Sequence, residues 1–503
     1  MEKRCIAVIG LDGLSFTYLN KLMDNGVIPY MKHYIYNSSI KRNLYAFPPV
    51  TPQSWTSIMT GVNIGKHGIY GFIMYDDQHN PKVFNAEMLG HPRIHEMLSL
   101  IGKKSIVINP IPTYPLYPIR KALQFSFDFF TPKPSYTPSR AKKYFRIMQS
   151  LFKDLSKTPE ESLEIAKIHV ELYLQLIEEL INKEDYDLFW INLRYPDSMI
   201  HMLKDPHILS SKIFKEEMEI FRNIDRIFKT LAENSLNTVI VSDHGFSIYK
   251  YVININSYLY RNGFITLRDE AQTSDEIHGS LKKYKDIKTI SWKKSVVRIL
   301  RSPYLRFLGR FLKNIHNRIS KKPIVIRFPV VDRRKSKAFA GTFYSFNVFV
   351  NDYNVVDSVI TSLKNLPGIR GVYRKEQLFW GPYLSRLPDI YVEPWFDKGY
   401  YVFNTREIDP QNAPILSRKI LPHHHPLGVF IMKKWSYGEL PDPIPNYLVT
   451  NLIMIDLGVP ISSEADGIMI LRRALGKKPL VTSKYLTKWG IVMKLRKSLR
   501  KMK

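Results

Sequence analysis

A single cysteine, Cys5, stands among 503 residues. One thiol cannot close an internal disulfide, which excludes a disulfide scaffold and suits a reducing compartment. Long apolar runs are missing as well: no stretch reaches the roughly 18 uninterrupted apolar residues of a membrane span. The opening MEKRCIAVIGLDG holds an apolar run too short for a secretory leader and reads as a buried strand that begins almost at once. A cytoplasmic protein, soluble or peripheral on the inner membrane surface, is expected. Internal repeats, low-complexity linkers and zinc-finger spacings are also absent. What remains, 45% hydrophobic and 24% charged, is the composition of an ordinary globular protein.

Acidic residues are what two segments lack. Residues 281–337 carry 19 Lys or Arg against 2 acids, and from Arg472 to Lys503 there are 12 Lys or Arg and no acid. These two segments hold the whole formal charge of +29, so the rest of the chain is neutral. Basicity this local implies something specific touching two places. Within the first segment, Tyr304, Phe307, Leu308, Phe311, Leu312 and Ile315 share one helical face, with Arg306, Arg310 and Lys313 opposite. A basic amphipathic helix with aromatics suits anionic lipid. The bland reading is a cap helix whose basic face is solvated. Residues 291–319 and 472–503 are therefore the candidate contacts with an anionic membrane surface. Nucleic acid ranks lower, because no aromatic-interleaved readout motif accompanies the charge.

Elsewhere, short apolar runs alternate with helical text. CIAVIGLDG, KSIVINP, DLFWINLRYPD and NTVIVSDHG read as strands buried on both faces, which implies a parallel α/β sheet. Residues 159–182 and 211–233 are helix-periodic. The basic stretch from about 270 to 337 loses this rhythm and reads as an insertion.

Ligands of open α/β sheets bind beyond the carboxyl ends of strands. Four such places carry metal-type side chains: Asp12, Asp197 with His201, Asp243 with His244, and the turn at 421–428 with His423, His424 and His425. An Asp after a strand often only caps a helix. Asp197 and His201, four apart, would share a face if a helix follows Pro196. An Asp-His pair at a strand mouth is costly to bury without a role. Three Asp and three His suffice for two three-residue ligand sets, the inventory of a two-metal hydrolytic site. The hydroxyl-rich stretch FPPVTPQSWTSIMTGVNIGKHGIYGF adds Thr51, Ser54, Thr56, Ser57 and Thr60, among which composition does not choose. Ser54, Thr56 and Ser57 fit N-terminal capping of a helix after Pro52, Thr60 precedes the helix stop Gly61, and His67 fits a helix end.

Taken in order, VIGLDG, PPVTPQSWTSIMTGVNIGKHGI, YPDSMIHML, VIVSDHGFS and HHPLGVFI resemble the type I phosphodiesterase/nucleotide pyrophosphatase branch of the alkaline phosphatase superfamily. The resemblance spans almost the whole chain. It implies a three-layer α/β sandwich, a central mostly parallel sheet with helices on both faces, here carrying a basic helical insertion. The expected divisions are a catalytic domain at 1–270 and 338–471, the insertion at 271–337 and a basic tail at 472–503. In that branch the nucleophilic Thr lies nine residues before a Thr-Gly and sixteen before a His-Gly, which selects Thr51. The closing His-x-Pro-x-Gly register selects His424. The resemblance further implies two divalent cations, one held by Asp12, Thr51, Asp243 and His244, the other by Asp197, His201 and His424. Zinc is the usual ion, with manganese or iron in relatives, and a ligand set of N and O atoms accepts all three. The implied activity is hydrolysis of phosphodiester or nucleotide pyrophosphate bonds through a phosphothreonine.

One departure bears on substrate. Many relatives place an Asn or Asp just after His-Gly-Ile, where this chain has Tyr70, Gly71 and Phe72. The missing phosphate contact keeps two rivals open. One is a phospho-group transferase or hydrolase acting on lipid or glycan head groups at the membrane surface. The other is a non-enzymatic polyanion- or membrane-binding protein.

Overall fold

Ile6–Leu11 (β1) is IAVIGL with every residue buried, the signature of a strand covered on both faces. In the computed structural model, which describes residues 5–127, 134–147, 159–203, 213–272, 326–341, 345–404 and 414–501, β1 lies at the centre of a nine-stranded sheet. Its companions in chain order are Ile40–Tyr45 (β2), Ser105–Ile108 (β3), Ala122–Ser126 (β4), Ser135–Thr137 (β5), Leu188–Leu193 (β6), Asn237–Val241 (β7), Leu427–Met432 (β8) and Ile444–Pro445 (β9). The spatial order is β9-β2-β8-β7-β1-β6-β3-β4-β5. The strands read from CIAVIGLDG, KSIVINP, DLFWINLRYPD and NTVIVSDHG are the four adjacent ones at its heart, all parallel. Antiparallel pairing enters through β8, inserted between β2 and β7, and through β5 at one edge. The sheet is thus mostly parallel, as expected.

Alternate residues of each strand serve opposite faces. Ala7, Ile9 and Leu11 point into a core with helices Phe16–Asp24 (α1), Pro29–Tyr36 (α2), Pro159–Lys183 (α5), Asp197–Leu203 (α6) and Ile213–Glu233 (α7). On the other face lie Thr51–Thr60 (α3) and Ile94–Leu100 (α4). There Gly10 lets the Trp55 ring approach so closely that a Cβ at Gly10 would stand 2.5 Å from it. Leu448–Asp456 (α8) packs on α3, and Tyr485–Lys501 (α9) packs on α4. Each large aliphatic side chain removed from water contributes about 1.5–3 kcal/mol, so burying both faces is what makes β1 a central strand.

The chain forms two compact units. The first comprises Met1–Val252, Pro367–Tyr401 and Ser417–Lys503 and contains the nine-stranded sheet. The second comprises Ile253–Leu366 and Val402–Leu416. Within it, Leu267–Gln272 pairs antiparallel with Ile326–Val331, and Ala338–Ala340 with Asn347–Val350. The helix expected around 304–319 lies outside the described residues, as do positions 291–303.

Candidate active site

The carboxyl ends of β1, β6 and β7 open onto one place, and each delivers an Asp just past the strand. Asp12 follows β1, and its Oδ2 accepts the indole Nε1–H of Trp55 at 3.1 Å. Asp243 follows β7, and its Oδ1 accepts the Gly13 N–H at 3.3 Å. The other oxygen of each, Asp12 Oδ1 and Asp243 Oδ2, is buried without a hydrogen-bond partner, and so is Asp197 Oδ1. Three buried oxygens with no donor cost several kcal/mol unless something positive binds them. None of the three Asp residues is a helix cap of the bland kind.

The histidines complete the cluster. His201 sits four residues after Asp197 on α6, with Nε2 3.4 Å from Asp197 Oδ1. His244 Nε2 lies 3.5 Å from Asp12 Oδ1, 3.4 Å from Asp243 Oδ2 and 3.3 Å from Thr51 Oγ1. His424 Nε2 lies 3.1 Å from Asp197 Oδ1 and 2.9 Å from His201 Nε2. All seven residues expected at the site are therefore brought together. Nitrogen and oxygen ligands about 2.0–2.2 Å from one cation lie about 3–3.5 Å from each other, the spacing seen here. Asp12, Asp243 and His244 form one group that could hold an ion; Asp197, His244 and His424 form another.

Backbone carbonyls decide which ring nitrogens are ready. A carbonyl only accepts, so His244 Nδ1, 3.0 Å from the Gly245 carbonyl, carries its hydrogen, and so does His424 Nδ1, 2.9 Å from the Pro49 carbonyl. Both Nε2 lone pairs then face the carboxylates, the arrangement metal-binding histidines use. His423 and His425 are the reverse. Their Nδ1 atoms accept the N–H of His424 at 2.8 Å and of Leu427 at 3.2 Å, so each neutral ring carries its hydrogen on Nε2. His423 packs against Tyr401, ring centroids 4.2 Å apart, and His201, 4.8 Å apart. The three histidines are not a loop: they end the strand Ile415–His425, and Pro426 alone separates it from β8.

Electrostatics follow burial. Burial, with Asp243 and Asp197 beside it, pushes Asp12 well above the usual carboxylate range, and burial with Asp197 does the same to Asp243. Burial would raise Asp197 too, but His201 beside it outweighs burial and holds this carboxyl well below the ordinary value. Burial keeps His244 and His424 neutral. Three crowded acidic side chains, with the Nε2 lone pairs of His244 and His424 turned towards them, make a site that a cation would relieve.

Thr51 is the first residue of α3, so its hydroxyl stands at the positive end of the helix dipole. Because α3 starts there, the capping roles expected for its hydroxyls are not taken up. The preceding Val50 makes no side-chain cap, and Ser54, Thr56 and Ser57 lie inside the helix. Ser54 Oγ donates instead to the Asp243 carbonyl at 2.6 Å, bracing the turn that carries Asp243 and His244. Thr56 and Thr60 bond back to the Pro52 and Thr56 carbonyls. Gly61 ends the helix with φ 75°, as its position predicts. His67 is a buried brace: Nδ1 accepts the Ile69 N–H, so Nε2 donates to Ser57 Oγ at 2.9 Å. At the place of the missing Asn, a Cβ at Gly71 would meet the Ile73 carbonyl at 4.0 Å, and the Phe72 ring meets Phe84 edge-on at 6.2 Å. Trp55, Ser54 and the Pro49 carbonyl position the cluster without any motif to announce them. The only local hint is that Ser54 and Trp55 sit one turn beyond Thr51.

The fold is alkaline-phosphatase-like, an α/β sheet with Asp and His gathered beyond its strand ends. The sequence pattern of the type I phosphodiesterase / nucleotide pyrophosphatase family matches residues 6–322, and the chain belongs to that family. It is accordingly a phosphoric-ester hydrolase of the phosphodiesterase/pyrophosphatase type. His424 lies beyond the matched span. Phosphonoacetate hydrolase from Sinorhizobium meliloti, in complex with phosphonoformate, is similar in structure with a TM-score of 0.58 at 16% identity, over 90% of this chain and 96% of that one. Human ectonucleotide pyrophosphatase/phosphodiesterase 5 aligns with a TM-score of 0.52 at 15% identity, over 94% and 100%. The murine protein, in an inactive threonine-to-alanine form with AMP, aligns at 0.51 and 14%, again over 94% and 100%. At these identities the likeness is one of fold. A comparison with curated protein sequences finds no match.

Proposed function

We propose that this chain is a two-metal phosphodiesterase whose nucleophile is Thr51. The observation that carries the reading is the set of three buried, unpartnered carboxylate oxygens, Asp12 Oδ1, Asp197 Oδ1 and Asp243 Oδ2, facing the Nε2 atoms of His244 and His424. Asp12, Thr51, Asp243 and His244 would hold one divalent cation, and Asp197, His201 and His424 the other; zinc, manganese or iron all suit such ligands. Bound there, the cations lower the pKa of a coordinated hydroxyl by several units and offset charge on the phosphoryl oxygens. Thr51 Oγ1 attacks phosphorus as the bond to the leaving alkoxide breaks, losing its proton to solvent while the alkoxide takes one up. Water then cleaves the phosphothreonine, restoring the hydroxyl and releasing the phosphorylated product. The positive end of α3 stabilises the charge that develops beside Thr51.

Nucleotides are the first substrates to try, since the murine structural neighbour binds AMP. A second reading, a lipid or glycan head group processed at a membrane surface, is favoured by Gly71 and Phe72, which offer a phosphate no polar side chain. Among the described residues no helix is long and apolar enough to cross a membrane, so such a protein would work from the surface. The test is hydrolysis of bis-p-nitrophenyl phosphate, p-nitrophenyl phosphate and a nucleotide pyrophosphate, with and without chelator. Thr51→Ala is expected to lower kcat by about a thousandfold or more while keeping the metal; Thr51→Ser, which retains a hydroxyl, keeps measurable turnover. Full metal-dependent rates in Thr51→Ala would show that another group attacks.

A further inference from the structure

Helix α9 has two faces, and the fold uses one. Tyr485 is fully buried and Trp489 nearly so, with the Trp489 Nε1–H donating to Glu96 Oε1 at 3.2 Å. Arg496 donates to the Pro118 carbonyl at 2.5 Å, and its guanidinium lies 4.3 Å from the Tyr117 ring centre. The opposite face bears Lys488, Ile491, Lys494 and Leu495, with Lys484 just before the first turn, all exposed. Their spacing of three and four residues makes one continuous stripe. Ile491 is 58% exposed and Leu495 60%, one turn apart, in a helix held rigidly by its other side. Among the described residues none of the three lysines meets a carboxylate, and no acid follows Arg472 in the sequence.

We infer that this outer face of α9 docks on an anionic phospholipid bilayer. Two aliphatic side chains flanked by lysines match the boundary between acyl chains and head groups, where lysine stems lie along the apolar surface and their ammonium groups reach phosphate. Charge complementarity selects this occupant. A protein interface is depleted in lysine, and single-stranded nucleic acid needs aromatic platforms, whereas Tyr485 and Trp489 face inward. The helix is already folded and anchored, so binding orders no new segment. The inference stands independently of the hydrolytic reading.

The test is flotation of the full chain with phosphatidylcholine vesicles, with and without phosphatidylserine, alongside hydrolysis of a soluble diester. The wild type is expected to float only with phosphatidylserine and to release as salt rises. Each lysine near an anionic surface is worth about fivefold in binding, so Lys484→Glu, Lys488→Glu and Lys494→Glu combined should lose about a hundredfold or more. Ile491→Ser with Leu495→Ser should lose about tenfold or more. All five positions are exposed, so the melting temperature and soluble-diester rate should stay at wild-type values; a fall in diester rate alone would bear on the catalytic reading and not on this one. As a readout independent of these variants, an environment-sensitive dye on Ile491→Cys in a Cys5→Ser background should shift to the blue with phosphatidylserine vesicles. Absent phosphatidylserine-dependent flotation, equal flotation of the variants, or a dye that does not shift would overturn the proposal. So would a dimer in sedimentation that Ile491→Ser dissociates, or binding to RNA in place of vesicles.

Discussion

The Pro49 carbonyl accepts the Nδ1–H of His424 at 2.9 Å, so the turn that leads into Thr51 also sets the tautomer of a histidine 375 residues further along the chain. That contact separates His424 from its two neighbours, which accept backbone N–H groups on the same ring atom. His424→Asn removes Nε2 and should cost the protein one metal equivalent. His423→Asn offers an amide oxygen close to where Nδ1 stood and should keep both. Metal content by mass spectrometry of the purified proteins decides; equal loss in both variants would make His423 a ligand as well.

Asp12 and Asp243 are raised well above the usual carboxylate range. A carboxyl raised on folding contributes stability below its unfolded value and loses it as pH rises through the folded one, so the metal-free protein is strained at neutral pH. Chelator should therefore lower Tm near pH 7. Asp12→Asn, whose amide oxygen can still accept from Trp55, should melt higher than the chelated wild type, by the equivalent of about 2 kcal/mol, while losing activity. A chelated variant melting below the chelated wild type would remove the carboxylate repulsion from the account.

Three histidines outside the cluster have the opposite sign. Burial lowers His67 and His95 from 6.5 to about 3 and His91 to about 4. The unfolded chain takes up protons that the folded one refuses, so their contribution is complete above pH 6.5 and is lost as pH falls through about 4 for His91 and about 3 for His67 and His95. Glu96, which burial would raise but Arg93 brings down to about 2, adds a further loss below its ordinary 4.5. Unfolding free energy should fall steeply between pH 6.5 and 4.5, by up to about 2–3 kcal/mol per buried histidine. Denaturant melts across that range test this, and His67→Gln should make the slope shallower by about one proton.

Trp489 ties α9 to α4 through Glu96. Trp489→Ala should cost about 3–5 kcal/mol and expose the C-terminal segment to protease. Cleavage unchanged from wild type would mean that Tyr485 and Arg496 hold the helix without it.

Much of this was legible in residue order. Apolar runs mark β1, β3, β6 and β7 because parallel strands buried on both faces need no alternation, and the periodicities of 159–182 and 211–233 match α5 and α7. Asp12, Asp197, Asp243 and the histidines stand at strand ends in recognisable motifs. The insertion of β8 between β2 and β7 was not legible, since pairing partners 380 or more residues apart leave no local pattern. Nor was the service of Ser54: a hydroxyl near a helix start looks like a cap until its partner, the Asp243 carbonyl, is in view. Ser54 and His424 are both held through backbone carbonyls, which every residue shares.

The position of β8 has a consequence for biosynthesis. Because Leu427–Met432 fills a slot between strands made some 380 and 190 residues earlier, the sheet keeps an open seam until that strand has been synthesised. A nascent chain can gather Asp12, Asp197, Asp243 and His244, but His424 arrives only with the strand that closes the seam. Translation order alone thus makes His424 the last member of the cluster to be delivered, and chains truncated before residue 424 would lack both it and the strand that closes the seam.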